Sequence, residues 1–339
     1  MRQRLLHSSD QRGFSLPELL IALLITLVVM GGTMMAFKDA VGLSRASQQR
    51  IDLDDNMRVA LDLLVRDFIS IGDGLPNGKI LPVPNGAGAK LINRPGPSLG
   101  TFPAGTSDFS AVMPGYQLAP AINGAKTNDV ITILSADSTF EDQVADMKSD
   151  GTLATFANAV TGIPDPLRDG DLLMLTVNGE GTALQMVTGF DSATVVRFED
   201  GDPMQINQPD APNGSITLLD PDATLPTFVV HASRVRMISF WVEQDVATGR
   251  LQLMRQINMR TPQRVASWIE NLQFTYDLVD GITNPVDQNN PGNPTQIRKI
   301  NIFLAARSDK KLSNTGDFLR TTMTTQVSLR SLALVDRYL

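Results

Sequence analysis

The chain has 339 residues, a formal net charge of −7 at pH 7 and no cysteine. The lack of cysteine excludes disulfide bonds, and 36 acidic against 29 basic residues argues against nucleic-acid binding as the main task. Hydrophobic residues make up 42% of the chain, and it contains 26 glycines and 20 prolines. This composition is typical of one large loop-rich domain or two small ones with enough apolar material for a core.

A short basic segment precedes a long apolar one. Residues 1–13 carry Arg2, Arg4 and Arg12 against Asp10, and the basic flank of a membrane segment stays on the cytoplasmic side. From Leu19 to Phe37 the chain has no charged residue, which is long enough for a membrane-spanning helix. A secretory signal would be cut after its apolar region, but no convincing small-residue site follows this one.

Glu18 is the single carboxylate at the entrance to the apolar segment. A charge in a membrane segment costs free energy, so its presence predicts a positively charged partner. If the chain is cut between Gly13 and Phe14, the new amino group of Phe14 lies four residues from Glu18, about one helical turn away. The Phe14 amine of a neighbouring chain could then neutralise Glu18.

The sequence GFSLPEL at residues 13–19, followed by an apolar helix, resembles the type IV prepilin leader. That leader occurs in type IV pilins, type II secretion pseudopilins and related competence filaments. The resemblance implies cleavage after Gly13 by a prepilin peptidase, methylation of the Phe14 amine, and use of Glu18 to set subunit register in a filament. The implied partners are the peptidase, an inner-membrane assembly platform, other major and minor pilins, and lipid before assembly. The competing interpretation is a plain single-pass anchor with a stray glutamate.

An apolar stripe extends the helical pattern beyond the membrane segment. No proline occurs between Asp39 and Ile71, and apolar residues recur there at spacings of three and four, namely Met57, Leu61, Leu64, Phe68 and Ile71. We predict a nearly continuous helix over residues 14–71, membrane-spanning over 14–37 and amphipathic over 38–71. Gly31-Gly32 is predicted to be either a weak point or a close-packing site.

Residues 72–339 are predicted to form a β-rich globular domain outside the membrane. Residues 75–124 lack periodicity and are rich in Pro, Gly, Asn and Ala, which predicts a long loop region. Beyond it, strand-like runs alternate with turn signals, and Asn178-Gly179 is a strong hairpin signal. The predicted strands are 129–134, 171–177, 183–190, 193–198, 215–219, 234–244, 250–257, 272–278, 298–307 and 321–332. The predicted class is α+β: a long N-terminal hydrophobic helix packed on a C-terminal antiparallel sheet domain, as in pilins.

The C-terminal third carries a second resemblance. The sequences WIENLQFTYDLVDG, IRKINIFLAARSDK and FLRTTMTTQVSLRSLAL, with the helix ending NMRVALDLLVRDFISIGDG, resemble the PilW family of minor pilins over residues 13–74 and 265–334. The resemblance implies a non-enzymatic subunit that takes part in initiating or assembling a type IV pilus. Many major pilins close a C-terminal loop with a disulfide, so the lack of cysteine favours a minor subunit.

The implied topology is a single-pass inner-membrane protein with its N-terminus in the cytoplasm and its domain in the periplasm, later carried to the pilus or cell surface. Two alternatives stay open for the function. One is a minor pseudopilin of a type II secretion system, and the other is a pilus-associated adhesin that binds through its middle segment. A membrane-anchored enzyme is a third and weaker alternative.

The sequence offers little for catalysis or metal binding. Of its two histidines, His7 lies in the leader, so His231 would have to supply any imidazole chemistry alone. No zinc-protease, serine-hydrolase or Walker motif occurs. Acidic groups at residues 165–171 and 199–202 could gather oxygens around calcium, but neither has EF-hand spacing. We predict no enzymatic activity, no cofactor and no nucleic-acid partner.

Overall fold

A computed structural model describes residues 15–76, 80–97, 100–122, 124–125, 128–209, 214–312 and 316–333. In this described part a long helix, α1 (Leu16–Ile69), precedes sixteen strands and a short helix, α2 (Arg330–Ala333). The predicted α+β class is therefore confirmed. The strands are β1 Ile80–Pro82, β2 Asp108–Ser110, β3 Val112–Gly115, β4 Val130–Ala136, β5 Gln143–Lys148, β6 Leu153–Phe156, β7 Leu172–Val177, β8 Gly181–Met186, β9 Gly189–Phe190, β10 Val195–Arg197, β11 Thr227–Gln244, β12 Leu251–Ile257, β13 Gln263–Ser267, β14 Ile269–Leu278, β15 Ile297–Lys311 and β16 Phe318–Ser328.

The chain divides into two compact units. The first contains α1 as far as Asp52 together with Lys310–Leu319. The second begins at Leu53, runs to Asp309 and resumes at Arg320. Helix α1 is continuous across this division, as the unbroken pattern of residues 14–71 predicts. The predicted helix start, Phe14, and the leader 1–13 lie outside the described residues.

The part of α1 in the second unit is amphipathic and supplies one wall of the core. Leu53, Met57, Ala60, Leu64 and Phe68 are buried at spacings of three and four, which confirms the predicted stripe in its main members. The Phe68 ring lies between two sheets, with ring centroids 6.0 Å from Phe240 on β11 and 5.9 Å from Phe274 on β14. Aromatic pairs at this separation stabilise packing beyond their buried area.

Glycines end α1 where the sequence predicts a stop. After Ile69 the chain turns, and Gly72 and Gly74 adopt φ of +79° and +66°, in the left-handed region that favours glycine. The amide of Gly72 donates to the carbonyl of Leu134 on β4 at 2.9 Å. The end of the helix is thereby tied to the large sheet.

The large sheet is organised around β11. This 18-residue strand pairs with four other strands, all of them antiparallel to it. Along each of its two edges, one partner strand follows another. Its first half pairs with β5 and β7, and its second half pairs with β4 and β12. The hairpin predicted at Asn178-Gly179 joins β7 to β8, with Val177 opposite Gly181. The two ends of β11 thus pass through different parts of the core.

A separate three-stranded sheet has the order β14-β15-β16. Its inner face is apolar and buried, with Phe274 opposite Ile302 as its central pair. The outer edge of β14 is covered by side chains instead of another strand. Asn128 Oδ1 accepts from the amide of Leu272 at 2.7 Å, and Asp129 Oδ2 accepts from the amide of Phe274 at 2.9 Å. This cover joins the small sheet to the segment that enters β4.

The predicted loop region 75–124 is in part wrong, since it contains β1, β2 and β3. Strand β1 pairs with β2 and strand β3 pairs with β4. These strands have three or four residues, which is too short for a periodic pattern, so only their tertiary pairing reveals them. Strands β5, β6 and β13 also have no counterpart among the predicted ones.

Three predicted strands need correction. The predicted strand 183–190 is interrupted at residues 187–188, so it contains the end of β8 and all of β9. Residues Ile216–Leu219 form a 3₁₀ helix instead of a strand, closed by the Leu218 amide donating to the Ser215 carbonyl at 3.1 Å. Their apolar run matches a strand, but a local turn bond satisfies the backbone first. The last predicted strand, 321–332, ends at Ser328 and is followed by α2.

The fold predicts that the chain from Ala40 onward folds without its membrane segment. The buried side chains of α1 begin at Leu53, so removing residues 1–39 leaves the core of the second unit intact. We expect a cooperative thermal transition and a circular dichroism spectrum of mixed helix and sheet. Added reductant should change neither, because the chain has no cysteine. A spectrum of disordered chain would contradict the boundary.

Candidate functional site

The N-terminal part of α1 presents apolar side chains all around the helix. Leu16, Leu24, Leu27 and Phe37 are 66–77% exposed, and no part of the most apolar window is buried in the structure. That 18-residue window has a mean hydropathy of 2.4, so the helix is long and apolar enough to cross a membrane. A surface of this size needs lipid or other apolar helices around it.

Glu18 and Ser15 form a reciprocal cap at the start of this helix. The backbone amide and hydroxyl of Ser15 donate to Glu18 Oε2 at 3.0 and 2.9 Å. In return the Glu18 amide donates to the Ser15 hydroxyl at 3.4 Å. This is a capping box, in which the first turn's free amides are satisfied by side chains. The S-x-x-E signal for it is present in the sequence, but the resemblance alone did not predict a role for Ser15.

The cap leaves half of the Glu18 carboxylate available. Both Ser15 bonds end on Oε2, and no donor among the described residues reaches Oε1. A positive group from outside the chain can therefore approach Oε1 without displacing Ser15. Gly13 and Phe14, the predicted cleavage and methylation positions, lie outside the described residues.

Gly31 and Gly32 lie in unbroken helix. Apart from the helix's own adjacent backbone, no atom of the described residues lies within 4 Å of where a Cβ would be at either position. The described chain therefore provides no close packing at these glycines. Their two predicted roles, local melting and contact with another helix, stay predictions.

Residues 8–34 match the family described as Prokaryotic N-terminal methylation motif. The chain carries a prepilin-type motif. The matched range includes Gly13, Phe14 and Glu18. This motif supports a type IV pilin-like or pseudopilin-like subunit, and the single N-terminal apolar helix fits the single-pass anchor typical of prepilins. No curated protein and no solved structure proved similar to the chain.

Outside the prepilin-type motif, His231 is the residue that the sequence singled out for possible catalysis. It lies on β11, where its Nδ1 is 2.7 Å from Asp142 Oδ1 and its Nε2 is 3.5 Å from the side-chain Nδ2 of Asn178. Both ring nitrogens thus face polar side chains, one a carboxylate and the other a carboxamide. The first contact ties β11 to the residue before β5, and the second ties it to the β7–β8 turn.

The acidic group at 165–171 surrounds an arginine. Arg234 is 5% exposed, and its guanidinium contacts Asp137 at 2.8 Å, Asp171 at 3.8 Å, and Asp165. Arg236 also reaches Asp137. Burial opposes the charge of Asp137, but hydrogen bonds from Thr139 and the two arginines outweigh it and hold the carboxyl pKa below its usual range. The guanidinium occupies the position that a cation would need between these carboxylates.

The carboxylates of the second acidic group, at 199–202, also have partners within the chain. Lys90 Nζ lies 2.6 Å from Asp200 Oδ2. Asp202 is buried and accepts from the backbone amides of Met204 and Asn207 at 3.0 and 2.8 Å, which closes a turn. Within the described ranges no group of three His, Asp or Glu is placed to hold a metal ion.

Proposed function

We propose that this chain is a minor pilin of PilW type, a structural subunit that takes part in initiating or assembling a type IV pilus and has no chemistry of its own. The observation that carries the proposal is an uncovered apolar helix that begins at Leu16 and carries Glu18 in its first turn, inside a prepilin-type motif. The similarity of the C-terminal third to the PilW family supports the narrower assignment.

The proposed mechanism is assembly through α1. A prepilin peptidase cuts after Gly13 and the Phe14 amine is methylated. An inner-membrane platform then draws the subunit out of the bilayer, and the apolar helices of major and minor pilins replace lipid around it. The Oε1 atom of Glu18 receives the Phe14 amine of a neighbouring subunit, which sets the register.

In this proposal the remainder of the chain presents surfaces that contact partner subunits. Its domain, residues 72–339, would lie in the periplasm before assembly and at the pilus or cell surface afterwards. The ion pairs of the acidic groups and the polar contacts of His231 fit a role without enzymatic activity or cofactor. The net charge of −7 fits a role without a nucleic-acid partner.

A minor pseudopilin of a type II secretion system is the second candidate, because pseudopilins carry the same N-terminal motif. Neighbouring subunits distinguish the two machines. Co-purification of the detergent-solubilised protein, with its partners identified by mass spectrometry, should recover pilus subunits. Recovery of secretion-system subunits instead would move the assignment to the pseudopilins. An adhesin would keep filament assembly but lose attachment when residues 75–123 are deleted.

Replacing Glu18 tests the assembly mechanism. We expect Glu18→Ala to be inserted and cleaved normally, because the change removes a charge from the membrane segment. Its recruitment into filaments should fall at least severalfold, since the neighbour's amine loses its partner. The measurement is quantitative mass spectrometry of sheared filaments from cells that express mutant and wild type together.

Ser15→Ala is the matched control, because it removes the two hydroxyl bonds of the cap but keeps the carboxylate. It should enter filaments like the wild type. Equal incorporation of Glu18→Ala and wild type would reject the pairing role, and equal loss in both variants would assign the effect to the cap. For a subunit confined to the tip, the same comparison is made by co-purification with its partners.

A further inference from the structure

The small sheet has one covered edge and one open edge. On β14, Asn128 and Asp129 bond to the backbone at Leu272 and Phe274, and Gln288 exchanges two backbone bonds with Tyr276. On the other side β16 is the last strand, and no described segment pairs with its outer edge. Every second residue of such a strand points its N–H and C=O away from the sheet, where they can bond another strand.

The open edge lacks the features that protect edge strands from pairing. Residues 321–328 contain no charge and no proline, and four of the eight are threonine, which favours extended structure. The one charge in the stretch 320–328 is Arg320, whose Nε donates to Glu270 at 2.8 Å across the sheet. Side chains along β16 alternate between exposed and half-buried, as in an edge strand with one face on the core.

The five central residues of β16 are symmetric about Met323. Residues 321–325 read Thr-Thr-Met-Thr-Thr in both directions. Two copies related by a twofold axis form a self-complementary interface, in which each residue meets its mirror position in the other copy. Antiparallel pairing centred on Met323 would place Thr321 opposite the second copy's Thr325. Arg320 would lie opposite Gln326, so no two like charges would face each other.

We propose that β16 pairs with β16 of a second copy of this chain, antiparallel and centred on Met323, joining two three-stranded sheets into one of six strands. Cross-strand threonine pairs stabilise such a contact. Symmetry and charge select a second copy over an unrelated strand. The stretch 320–326 lies wholly in the second unit, and its pairing does not depend on the proposed role in a pilus.

Cysteine trapping tests the pairing, because the chain has no cysteine of its own. Residues directly opposite each other in an antiparallel pair have Cα atoms about 4.5–5.5 Å apart, within the range that a disulfide bridges. Met323→Cys, in the full chain in membranes, should therefore form a disulfide-linked dimer on mild oxidation. Confinement to a membrane raises the effective concentration of the copies, so a contact made by a single pair of strands can form.

Thr321→Cys and Thr325→Cys are the matched controls, since both positions are half-buried on the same face as Met323. In the proposed register each lies about 13 Å from its own counterpart, so neither should cross-link alone. Differently tagged Thr321→Cys and Thr325→Cys chains should cross-link when expressed together. A Met323→Cys dimer that does not exceed the single controls severalfold would overturn the proposal.

Charge pairs on the exposed face provide a second measurement. Thr322 faces the second copy's Thr324, and both are exposed. The combination Thr322→Lys with Thr324→Glu should keep the Met323→Cys dimer, because opposite charges meet. Thr322→Lys with Thr324→Lys should lose it, because like charges meet. Equal cross-linking of the two combinations would contradict strand pairing in this register.

Discussion

Replacing Gly13 by leucine should leave the whole chain as an uncut precursor. The basic leader ends at Gly13 directly before Phe14, and a peptidase must fit the backbone at that bond closely. A bulky side chain there blocks the fit, so cleavage should be lost rather than reduced. Intact-mass analysis of the membrane fraction should find the N-terminus at Met1, with or without its initiator methionine, and not at Phe14.

Gly31→Leu is the control for this substitution. It introduces the same side chain within the membrane segment, at a position where no described atom outside the helix's own adjacent backbone lies within 4 Å of the new Cβ. This variant should be cleaved like the wild type. A mature N-terminus at Phe14 in Gly13→Leu would reject processing at this bond, and an uncut Gly31→Leu would point to failed insertion instead.

Replacing Arg234 by methionine should lower the free energy of unfolding by about 3–5 kcal/mol, the effect of removing one partner from a buried ion pair. The Arg234 and Asp137 side chains are each 5% exposed, so the carboxylate would stay buried with only the half-exposed Arg236 as its cation. The measurement is a urea titration of the detergent-solubilised chain, followed by the fluorescence of its two tryptophans, of which Trp241 is buried on β11.

Arg236→Met is the matched control. Arg236 also contacts Asp137, but its side chain is 46% exposed. Its loss should therefore lower the free energy of unfolding by less than about 1 kcal/mol. Equal effects of the two substitutions would contradict the burial argument.

The effect of Arg234→Met should also depend on pH. The folded-state pKa of Asp137 is lowered, so its ionised form contributes stability above the unfolded pKa of about 3.9 and loses that contribution as pH falls through the folded pKa. Without Arg234 that contribution becomes smaller, because only the hydrogen bonds from Thr139 and the charge of Arg236 still favour the ionised carboxyl. The difference between variant and wild type should therefore be largest near neutral pH and should narrow below about pH 4. A constant difference over this range would show that the loss arises from packing.

Several elements could be predicted from sequence because their signals are local. The stripe Met57–Leu64–Phe68 repeats over several turns, and Gly72 can adopt the left-handed conformation that ends a helix. The hairpin at Asn178-Gly179 depends on two residues whose backbone preferences suffice. In contrast, β1 and β3 are too short to show a period, and the apolar run at Ile216–Leu219 satisfies its backbone within one turn.

The ion pairs around Arg234 could not be predicted from the sequence. Asp165 and Asp171 are close in sequence and suggest a calcium loop, but Arg234 comes from a strand more than sixty residues away and lies between them. No local pattern contains that information, because the pairing of β11 with β7 brings the residues together. The cover of β14 by Asn128 and Asp129 has the same origin.

By itself the sequence determined the prepilin-type motif, the position of the Glu18 carboxylate and a helix apolar enough for a membrane, and it predicts a leader that is cut beside Phe14. These features are contiguous, so their chemistry depends on neighbours along the chain. Only the tertiary structure decided which carboxylates hold a cation, which sheet edge is covered and which is open at β16. The ion pairs and the state of each sheet edge depend on pairing between strands that are distant in sequence. That pairing determines which backbone and side-chain polar groups have no partner in the sheet and can bind another group.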